Sequence, residues 1–424
     1  MRNNRHVTHI LDDLAWRGLL QDSTGLDDLR KRFDEGPVRF YVGFDPTGAS
    51  LHLGHMVQAL TARRLQLAGH RPLLLVGGAT GQIGDPREVG ERILNSTEVV
   101  AEWVNRIREQ LRPFVTYEGD SAAELVNNLD WTAPMSAIEF LRDVGKHFPV
   151  SKMLARDVVK ARLETGISFT EFAYQLLQSH DYFELNQRYG CELQFGGSDQ
   201  WGNITAGVDY VRRRGAGPVH AFTTPLVTKA DGTKFGKTEG ASIWLDPALT
   251  SPYAFYQFWI NTDDRDVHRY LKYFSFRDRA ELEALEAASA ERPAAREAQR
   301  ALAEELTTLL HGKDECAQAL AASQALFGRG SLDELSASTL AAALSEAGLT
   351  QITSLPTVAE LFRDAGLASG LGDARRTIGE GGAYVNNERV TDGDAVVDAA
   401  TLLHGRYLVL RKGRKNFAGV ELQK

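Results

Sequence analysis

The sequence predicts an α/β protein: a doubly wound, Rossmann-like parallel-sheet domain, then an α-helical domain and a small C-terminal α/β unit. Three observations in the first eighty residues carry this. "VRFYVGF" (38–44) alternates aromatic and β-branched residues as a strand does. Leu51 to Ala68 then repeats apolar residues at helical spacing and stops at Gly69. "RPLLLVGGATG" follows as an unbroken apolar run ending in glycines, the pattern of a parallel strand buried on both faces. Strand, helix and strand in so short a stretch make a βαβ unit.

Each later piece extends this plan. Asp45-Pro46-Thr47-Gly48 is a turn after the first strand, and Ser50 is the expected N-cap of the helix. "FTEFAYQLLQSHDYFEL" (169–185) keeps helical periodicity. "CELQFGGSDQWGNI" (191–204) reads as strand, glycine turn and helix start, and "FTTPLVT" (222–228) as a last strand. From Tyr253 to Leu326 the chain is rich in Ala, Glu and Leu at helical spacing, broken at Pro293. Linker chemistry follows around Gly328 to Thr353. Near the C-terminus "TVAELFRDAGL" and "GDARRTIGEGG" read as glycine-stopped helices, and "AYVNNERV" as a hairpin turning on Asn386-Asn387. The expected domains are 1–240 with an insertion at about 125–165, 241–330, a linker 331–352, and 353–424. No internal repeat is visible.

The bulk numbers exclude several classes. A chain of 424 residues, 43% apolar, is ordinary globular material long enough for two or three domains. Two cysteines, Cys191 and Cys316, give neither a disulfide framework nor zinc spacing. No apolar run approaches the ~20 residues of a membrane span. The start, "MRNNRHVTHILDDLAWRGLL", is amphipathic with charges throughout rather than a leader, so a cytoplasmic location is expected. The net charge of −8 argues against a protein coated all over with nucleic acid. From Ala374 onward, however, nine Lys or Arg face six Asp or Glu, with the sharpest cluster at Arg411 to Lys415.

In "LHLGHM", His52 and His55 stand three apart at the first turn of the first helix. A metal site needs three or four ligands, and no Cys or Glu stands at the usual helical offset. A capped surface pair remains open; a core accident is poor, because both polar rings share one face. The fourth reading is a phosphate site. A helix N-terminus presents free N–H groups and a partial positive end, imidazoles there can donate to a polyphosphate, and Gly54 leaves room for a flat base. Ligands of open α/β sheets also bind beyond the carboxyl ends of the strands, where this pair falls. "TKADGTKFGKTEGAS" (228–242) then supplies Lys234, Lys237 and Thr238 in a glycine-rich loop. Such a loop alone is usually a solvated turn. Combined with the histidines, it suits lysines closing on β- and γ-phosphates as pyrophosphate leaves. A carboxylate nucleophile is already ionised at neutral pH, so no base is required. The implied chemistry is adenylyl transfer by positioning and electrostatics.

"HLGH" and "KFGKT" resemble the two signatures of class I aminoacyl-tRNA synthetases. "YVGFDPTGASLHLGH", "GGATGQIGDP", "FTEFAYQLLQSHDY", "QFGGSDQWGNI" and "KFGKT" together are similar to the bacterial-type tyrosyl-tRNA synthetases, in order and near spacing, over essentially the whole chain. The residues support an aromatic, hydroxylated substrate independently. Tyr174, Gln178 and Asp181 fall at i, i+4 and i+7, one helix face carrying a phenol, an amide and a carboxylate where a core would be aliphatic. The resemblance implies that Asp181 and Tyr41 bond the substrate hydroxyl, that Asp85, Tyr174 and Gln178 hold the α-ammonium, and that Gln200 orients the carboxylate. It assigns Asp45, Thr47, His52, Gly54 and His55 to ATP and its transition state, Gly197 and Asp199 to the ribose, and Lys234, Lys237 and Thr238 to the closing loop. Asp199 is equally an N-cap candidate, and Tyr41 alone an ordinary strand aromatic. The implied cofactor is ATP with Mg2+ as a substrate complex, with no protein-bound metal site.

One departure stands out. After "GDP" the family often runs Ser-Gly-Lys and then Glu-Arg; this chain reads "REVGER" (87–92), a residue shorter and without a lysine. No lysine is carried over there, and Arg92 is held only as a loose tRNA-end or phosphate contact. The resemblance further implies tRNA(Tyr) as partner, an anticodon-side role for 241–330, and a homodimer with its interface around Trp131 to Lys160. "DARRTIGEGGAYVNNERV" resembles a small RNA-binding fold shared with a ribosomal protein, presenting Arg375, Arg376, Arg411, Lys412, Arg414 and Lys415 to phosphates. Rival readings are a tryptophan-specific relative, another adenylyltransferase with the same histidine pattern, and a non-enzymatic RNA-binding descendant.

Overall fold

The computed structural model describes residues 9–87, 90, 93–233, 235–238, 241–413 and 416–423. Arg92, Lys234, Arg414 and Lys415 lie outside the described residues, as do the side chains of Lys237 and Thr238. Two compact units emerge: residues 1–246 with 264–282, and residues 247–263 with 283–424.

The first unit is built on five parallel strands: β1 (Arg39–Phe44), β2 (Arg71–Val76), β3 (Glu124–Asn127), β4 (Cys191–Gly197) and β5 (His220–Thr224). They lie in the order β3-β2-β1-β4-β5. The chain leaves β1 in one direction and returns for β4 on its other side, so the order reverses between β1 and β4 and a crevice opens there. Helices α1 (Ile10–Arg17) and α2 (Leu26–Asp34) precede the sheet. Helix α3 (Leu53–Leu67) crosses from β1 to β2, and α4 (Thr97–Leu111) from β2 to β3. Helix α5 (Phe169–Tyr189) leads into β4, and α6 (Trp201–Arg213) leaves it. β2 is buried from Pro72 to Val76, as a central strand with both faces covered must be. One core gathers Tyr41, Leu73, Leu75, Tyr182, Leu185 and Val208 from β1, β2, α5 and α6. That core holds the strand ends and α5 in a fixed relation, and the site is built on them.

Two local expectations change. The N-cap of α3 is His52, not Ser50: His52 takes extended dihedrals and its Nδ1 accepts the Gly54 N–H at 3.0 Å. Ser50 is buried two residues earlier, with its hydroxyl on the Leu51 carbonyl at 2.7 Å and Gln110 at 3.1 Å. The strand β3, "ELVN", was not read from the sequence, because four residues opened by a glutamate carry no alternation to recognise.

In the second unit, helices Pro252–Ile260, Glu297–His311 and Lys313–Ala325 pack together. A five-stranded mixed sheet follows in the order β8-β7-β9-β10-β6. Its strands are β6 (Leu349–Ile352), β7 (Ala383–Val385), β8 (Glu388–Arg389), β9 (Tyr407–Lys412) and β10 (Asn416–Leu422). The β7–β8 hairpin turns on Asn386 and Asn387 at φ 49° and 69°, the left-handed pair a two-residue type I′ turn requires. The stretch 331–352, expected as a linker, instead holds helix Ala337–Ala347, capped by the Ser336 hydroxyl, and β6. Its composition misleads because the helix is held by burial of Leu340, Ala343 and Leu344, and β6 by parallel pairing with β10. Among the described residues no helix is long and apolar enough to cross a membrane.

Candidate active site

A cavity of about 560 Å³ lies beyond the carboxyl ends of β1 and β4. His52 and His55 form one wall. Their rings stack at 4.0 Å, and each Nδ1 accepts from the backbone: His52 from Gly54 N at 3.0 Å, His55 from His52 N at 3.1 Å. This is a reciprocal capping arrangement made by imidazoles. With both Nδ1 atoms accepting, each ring carries its proton on Nε2, the edge turned away from the helix start. Desolvation, then His52, holds the His55 imidazole down at about 3, so this donor is neutral at working pH. Gly54 is required by the ring itself: a Cβ there would sit 2.8 Å from His52 Cε1.

The loop holding Phe235 to Trp244 meets this helix start through the backbone. Leu53 N donates to the Ile243 carbonyl at 3.2 Å, Ile243 N to Gly236 O at 2.8 Å, and Leu245 N to Leu51 O at 2.8 Å. The backbone pair Lys237–Thr238 with Ala241–Ser242 sits inside that loop. The two motif-bearing segments, distant in sequence, are therefore adjacent in space.

The other end of the cavity carries buried polar groups. Asp181 on α5 is buried, and its two oxygens accept from Trp131 Nε1 at 2.8 Å and Asn128 Nδ2 at 3.0 Å. Burial nonetheless raises its carboxyl to about 7. Tyr41 on β1 is 1% exposed and its hydroxyl has no hydrogen-bond partner among the described residues. Between these ends, acceptors converge. Asp85 takes Gln200 Nε2 at 2.9 Å and Asn203 Nδ2 at 3.1 Å; Tyr174 donates to Asp45; Gln178 Oε1 is buried without a partner. An ammonium brings three donors and no acceptor, which Asp85, the Tyr174 oxygen and Gln178 suit. Asp45 also accepts from Thr80 Oγ1 at 2.6 Å, and a Cβ on Gly77 would fall 2.1 Å from its Oδ1, so that glycine lets the carboxylate sit where it does. Thr47, Gly197 and exposed Asp199 also line the cavity, and Asp199 accepts from Gln200 at a long 3.4 Å.

Thirteen residues named from the sequence line this one cavity: Tyr41, Asp45, Thr47, His52, Gly54, His55, Asp85, Tyr174, Gln178, Asp181, Gly197, Asp199 and Gln200. Sequence reasoning missed Asn128 and Trp131, which hold Asp181, and also Thr80, Gln58 and Gln194. Gln58 Nε2 donates to Thr224 at 2.7 Å, while its Oε1 and that of Gln194 are buried without partners in the cavity wall. Only "GGATG" advertised Thr80; the others carried no local signal.

The C-terminal cations stand in a different setting. Arg375 pairs with Asp394 at 2.8 Å, and Arg376 and Lys412 share Asp373 at 2.8 and 3.4 Å. The Ser369 backbone N–H and these cations hold the Asp373 carboxyl down at about 2. Arg411 is buried, donates to the Gly413 carbonyl at 2.7 Å and lies 4.0 Å over the Tyr384 ring.

With this geometry in view, similarity to known proteins is informative. The family model for class I tRNA synthetases (W and Y) matches residues 33–328, and that for the C-terminal domain of SYY-like tyrosine–tRNA ligases matches 343–420. A tyrosine–tRNA ligase of Streptomyces griseus is 62% identical over 98% of this chain and 99% of its own. The chain belongs to the tyrosine–tRNA ligase family. A tyrosine–tRNA ligase of Thermobifida fusca is 57% identical, again over 98% of the chain and 100% of its own length. Among solved structures, a C-terminally truncated mitochondrial tyrosyl-tRNA synthetase of Aspergillus nidulans matches with TM-score 0.66 and 33% identity, over 74% of this chain and 92% of its own. A tryptophanyl-tRNA synthetase of Encephalitozoon cuniculi, 15% identical with TM-score 0.54 over 72% of this chain and 86% of its own, shares the fold alone. As a tyrosine–tRNA ligase the chain is an aminoacyl-tRNA synthetase, with tyrosine, ATP and tRNA as substrates; the readings as a tryptophan-specific relative, another adenylyltransferase or a non-enzymatic descendant fall away.

Proposed function

We propose how this cavity performs the reaction. L-Tyrosine and MgATP react to tyrosyl-adenylate and pyrophosphate, and tyrosine then passes to the 3′-terminal ribose of tRNA(Tyr). The tyrosine hydroxyl lies between Asp181 and Tyr41. Its ammonium sits among Asp85, Tyr174 and Gln178, and Gln200 orients its carboxylate. Asp45, Thr47, Gly54, Gly197 and Asp199 hold the nucleotide, with His52 and His55 donating to its phosphates. Lys234, Lys237 and Thr238 close over the β- and γ-phosphates. Mg2+ arrives with ATP.

The observation that carries this reading is the Asp181–Tyr41 pair. A fixed buried carboxylate beside a buried hydroxyl with no partner is costly in an apolar wall, and a phenolic guest satisfies both. Phenylalanine would leave the Tyr41 hydroxyl unsatisfied and bring Asp181 no donor beyond Asn128 and Trp131. The test is ATP–pyrophosphate exchange with tyrosine, tryptophan and phenylalanine side by side. Exchange with tyrosine alone is expected; comparable exchange with phenylalanine would remove the role assigned to the pair.

The same proposal covers assembly. Ile138, Leu141, Val150, Leu154 and Leu163 are exposed within the insertion at about 125–165, an apolar surface suited to a second copy of the chain. The double change Ile138→Glu with Leu141→Glu should then give a monomer in sedimentation equilibrium. Region 241–330 is assigned to the anticodon side, and the C-terminal sheet with Arg375, Arg376 and their neighbours to tRNA phosphates. The protein acts in the cytoplasm on this reading.

A further inference from the structure

The helix Val267–Phe274 breaks a local rule at its start. Asp266 stands at its N-cap, where a carboxylate ordinarily accepts from the N–H groups of the first turn. It makes no such bond, although it is only 3% exposed. Its Oδ2 accepts instead from Ala230 N at 2.9 Å, and its Oδ1 from Arg269 Nη2 at 2.6 Å. A buried carboxylate turned from its own helix to a distant backbone N–H serves geometry elsewhere.

That N–H belongs to "TKADGTKFGKT" (228–238), the segment bearing Lys234 and Lys237. Its foot is fixed twice more. The Thr228 carbonyl accepts from Arg269 Nη2 at 2.6 Å and from the Tyr270 hydroxyl at 3.0 Å. The turn above is closed on itself: Lys229 N donates to the Thr233 carbonyl at 3.2 Å, and Asp231 Oδ1 accepts from Thr233 N at 2.8 Å. Phe235 then seats on the same helix, its ring 4.9 Å from that of Tyr270 and 5.4 Å from that of Phe274. The far end of the helix is held as firmly. Arg17 of α1 donates to the carbonyls of Lys272, Ser275 and Arg277 at 3.2, 3.1 and 2.7 Å. Arg64 of α3 donates to the Tyr273 carbonyl at 3.3 Å. Helix α3 is the one whose first turn holds His52 and His55. The foot of the lysine segment is thus tied to the scaffold of the imidazoles.

We infer that Asp266 is a positioning residue for tyrosine activation: with Arg269 it fixes the foot of the lysine loop, and so sets where the loop's cations meet the leaving pyrophosphate. The inference rests on the activation reading above. Asp266 does not line the cavity and touches no substrate. It acts through placement, because charge stabilisation depends on where the donors stand, and a shift of about 1 Å can cost about 100-fold.

The test is tyrosine-dependent ATP–pyrophosphate exchange on the full chain, with tyrosine binding measured separately by equilibrium dialysis. Asp266→Ala should lower kcat about tenfold while leaving tyrosine affinity within about twofold. Asp266→Asn should restore part of that loss, since its amide oxygen can still accept the Ala230 N–H. In a Lys237→Ala background Asp266→Ala should cost less than about threefold, because one of the cations it places is gone. An Asp266→Ala enzyme exchanging at the wild-type rate overturns the inference. So does an equal loss in both backgrounds, which would make Asp266 a packing residue only. Should Asp266→Ala fail to fold, Arg269→Ala decides in its place, with a loss of about threefold expected in the wild-type background and none beyond it with Lys237→Ala. Absence of tyrosine-dependent exchange in the wild type would instead sink the activation reading, and this inference with it.

Discussion

The two ends of the cavity are built by opposite strategies. The end proposed to take the phosphates is local: His52, Gly54 and His55 lie within four residues, and each imidazole is fixed by backbone of the same helix turn. The end proposed to take the phenol is assembled from afar. Tyr41 comes from β1, Asp181 from α5, and the groups holding Asp181 from the turn after β3, about fifty residues before it. A local site survives moderate change in the surrounding fold, whereas an assembled one depends on the packing of every contributor. Damage at the phenol end should therefore be larger and should spread to binding; damage at the phosphate end should fall on rate.

The largest effect is expected at Asp181. Asp181→Asn removes the acceptor for the substrate hydroxyl and faces the donors of Asn128 and Trp131 with an amide. A loss of about 100- to 1,000-fold in kcat/KM for tyrosine is expected, with KM for ATP little changed. Exchange assays varying one substrate at a time decide this; equal loss against both would mean the whole cavity had shifted. At the phosphate end, His55→Ala should cost about 100-fold in kcat with tyrosine affinity retained. Because the His55 imidazole is held at about 3, kcat should show no titration of this group between about pH 5 and 8. Lys237→Ala should resemble His55→Ala in lowering rate rather than tyrosine binding. Gly54→Ala, which forces a Cβ to within 2.8 Å of the His52 ring, should reproduce a fraction of the His55→Ala loss, about tenfold.

This contrast also explains what the sequence revealed. The phosphate end was legible because capping and glycine chemistry act between near neighbours, although the N-cap was misplaced from His52 to Ser50. Tyr174, Gln178 and Asp181 were legible because helical spacing puts them on one face. Asn128 and Trp131 were not, since their approach to Asp181 depends on β3 joining the sheet edge, a pairing written nowhere in "ELVN" itself. The same reason hid the structure in 331–352: Ser336 and the alanines look like linker until β10 offers β6 a partner.

The C-terminal cations give a third, smaller effect. Arg375 and Arg376 hold surface ion pairs that exposed solvent screens, so a phosphate can compete for them at little cost. Arg375→Ala with Arg376→Ala should raise KM for tRNA about three- to tenfold and flatten its salt dependence, leaving pyrophosphate exchange untouched. Arg411→Ala should instead lower thermal stability, because its guanidinium is buried against Tyr384 and the Gly413 carbonyl. A lower Tm with unchanged tRNA affinity is the expected outcome; the reverse would return Arg411 to the RNA surface.

The smallest effect probes the assembled end through protons. The Asp181 carboxyl is raised to about 7 by burial, against about 4 in an unfolded chain. A folded-state value above the unfolded one means that the folded protein binds this proton more tightly. The contribution to stability is then fully present below about pH 4 and is lost as pH rises through about 7. Asp181→Asn cannot ionise, so the Tm difference between variant and wild type should move in the variant's favour between pH 5 and 8, by a few degrees for a protein of this size. Bound tyrosine should reduce that drift in the wild type by giving the carboxylate a hydroxyl donor. A difference that stays flat from pH 4 to 8 would mean that the donors of Asn128 and Trp131 already offset the burial, and the phenol end would then be as self-sufficient as the histidine turn.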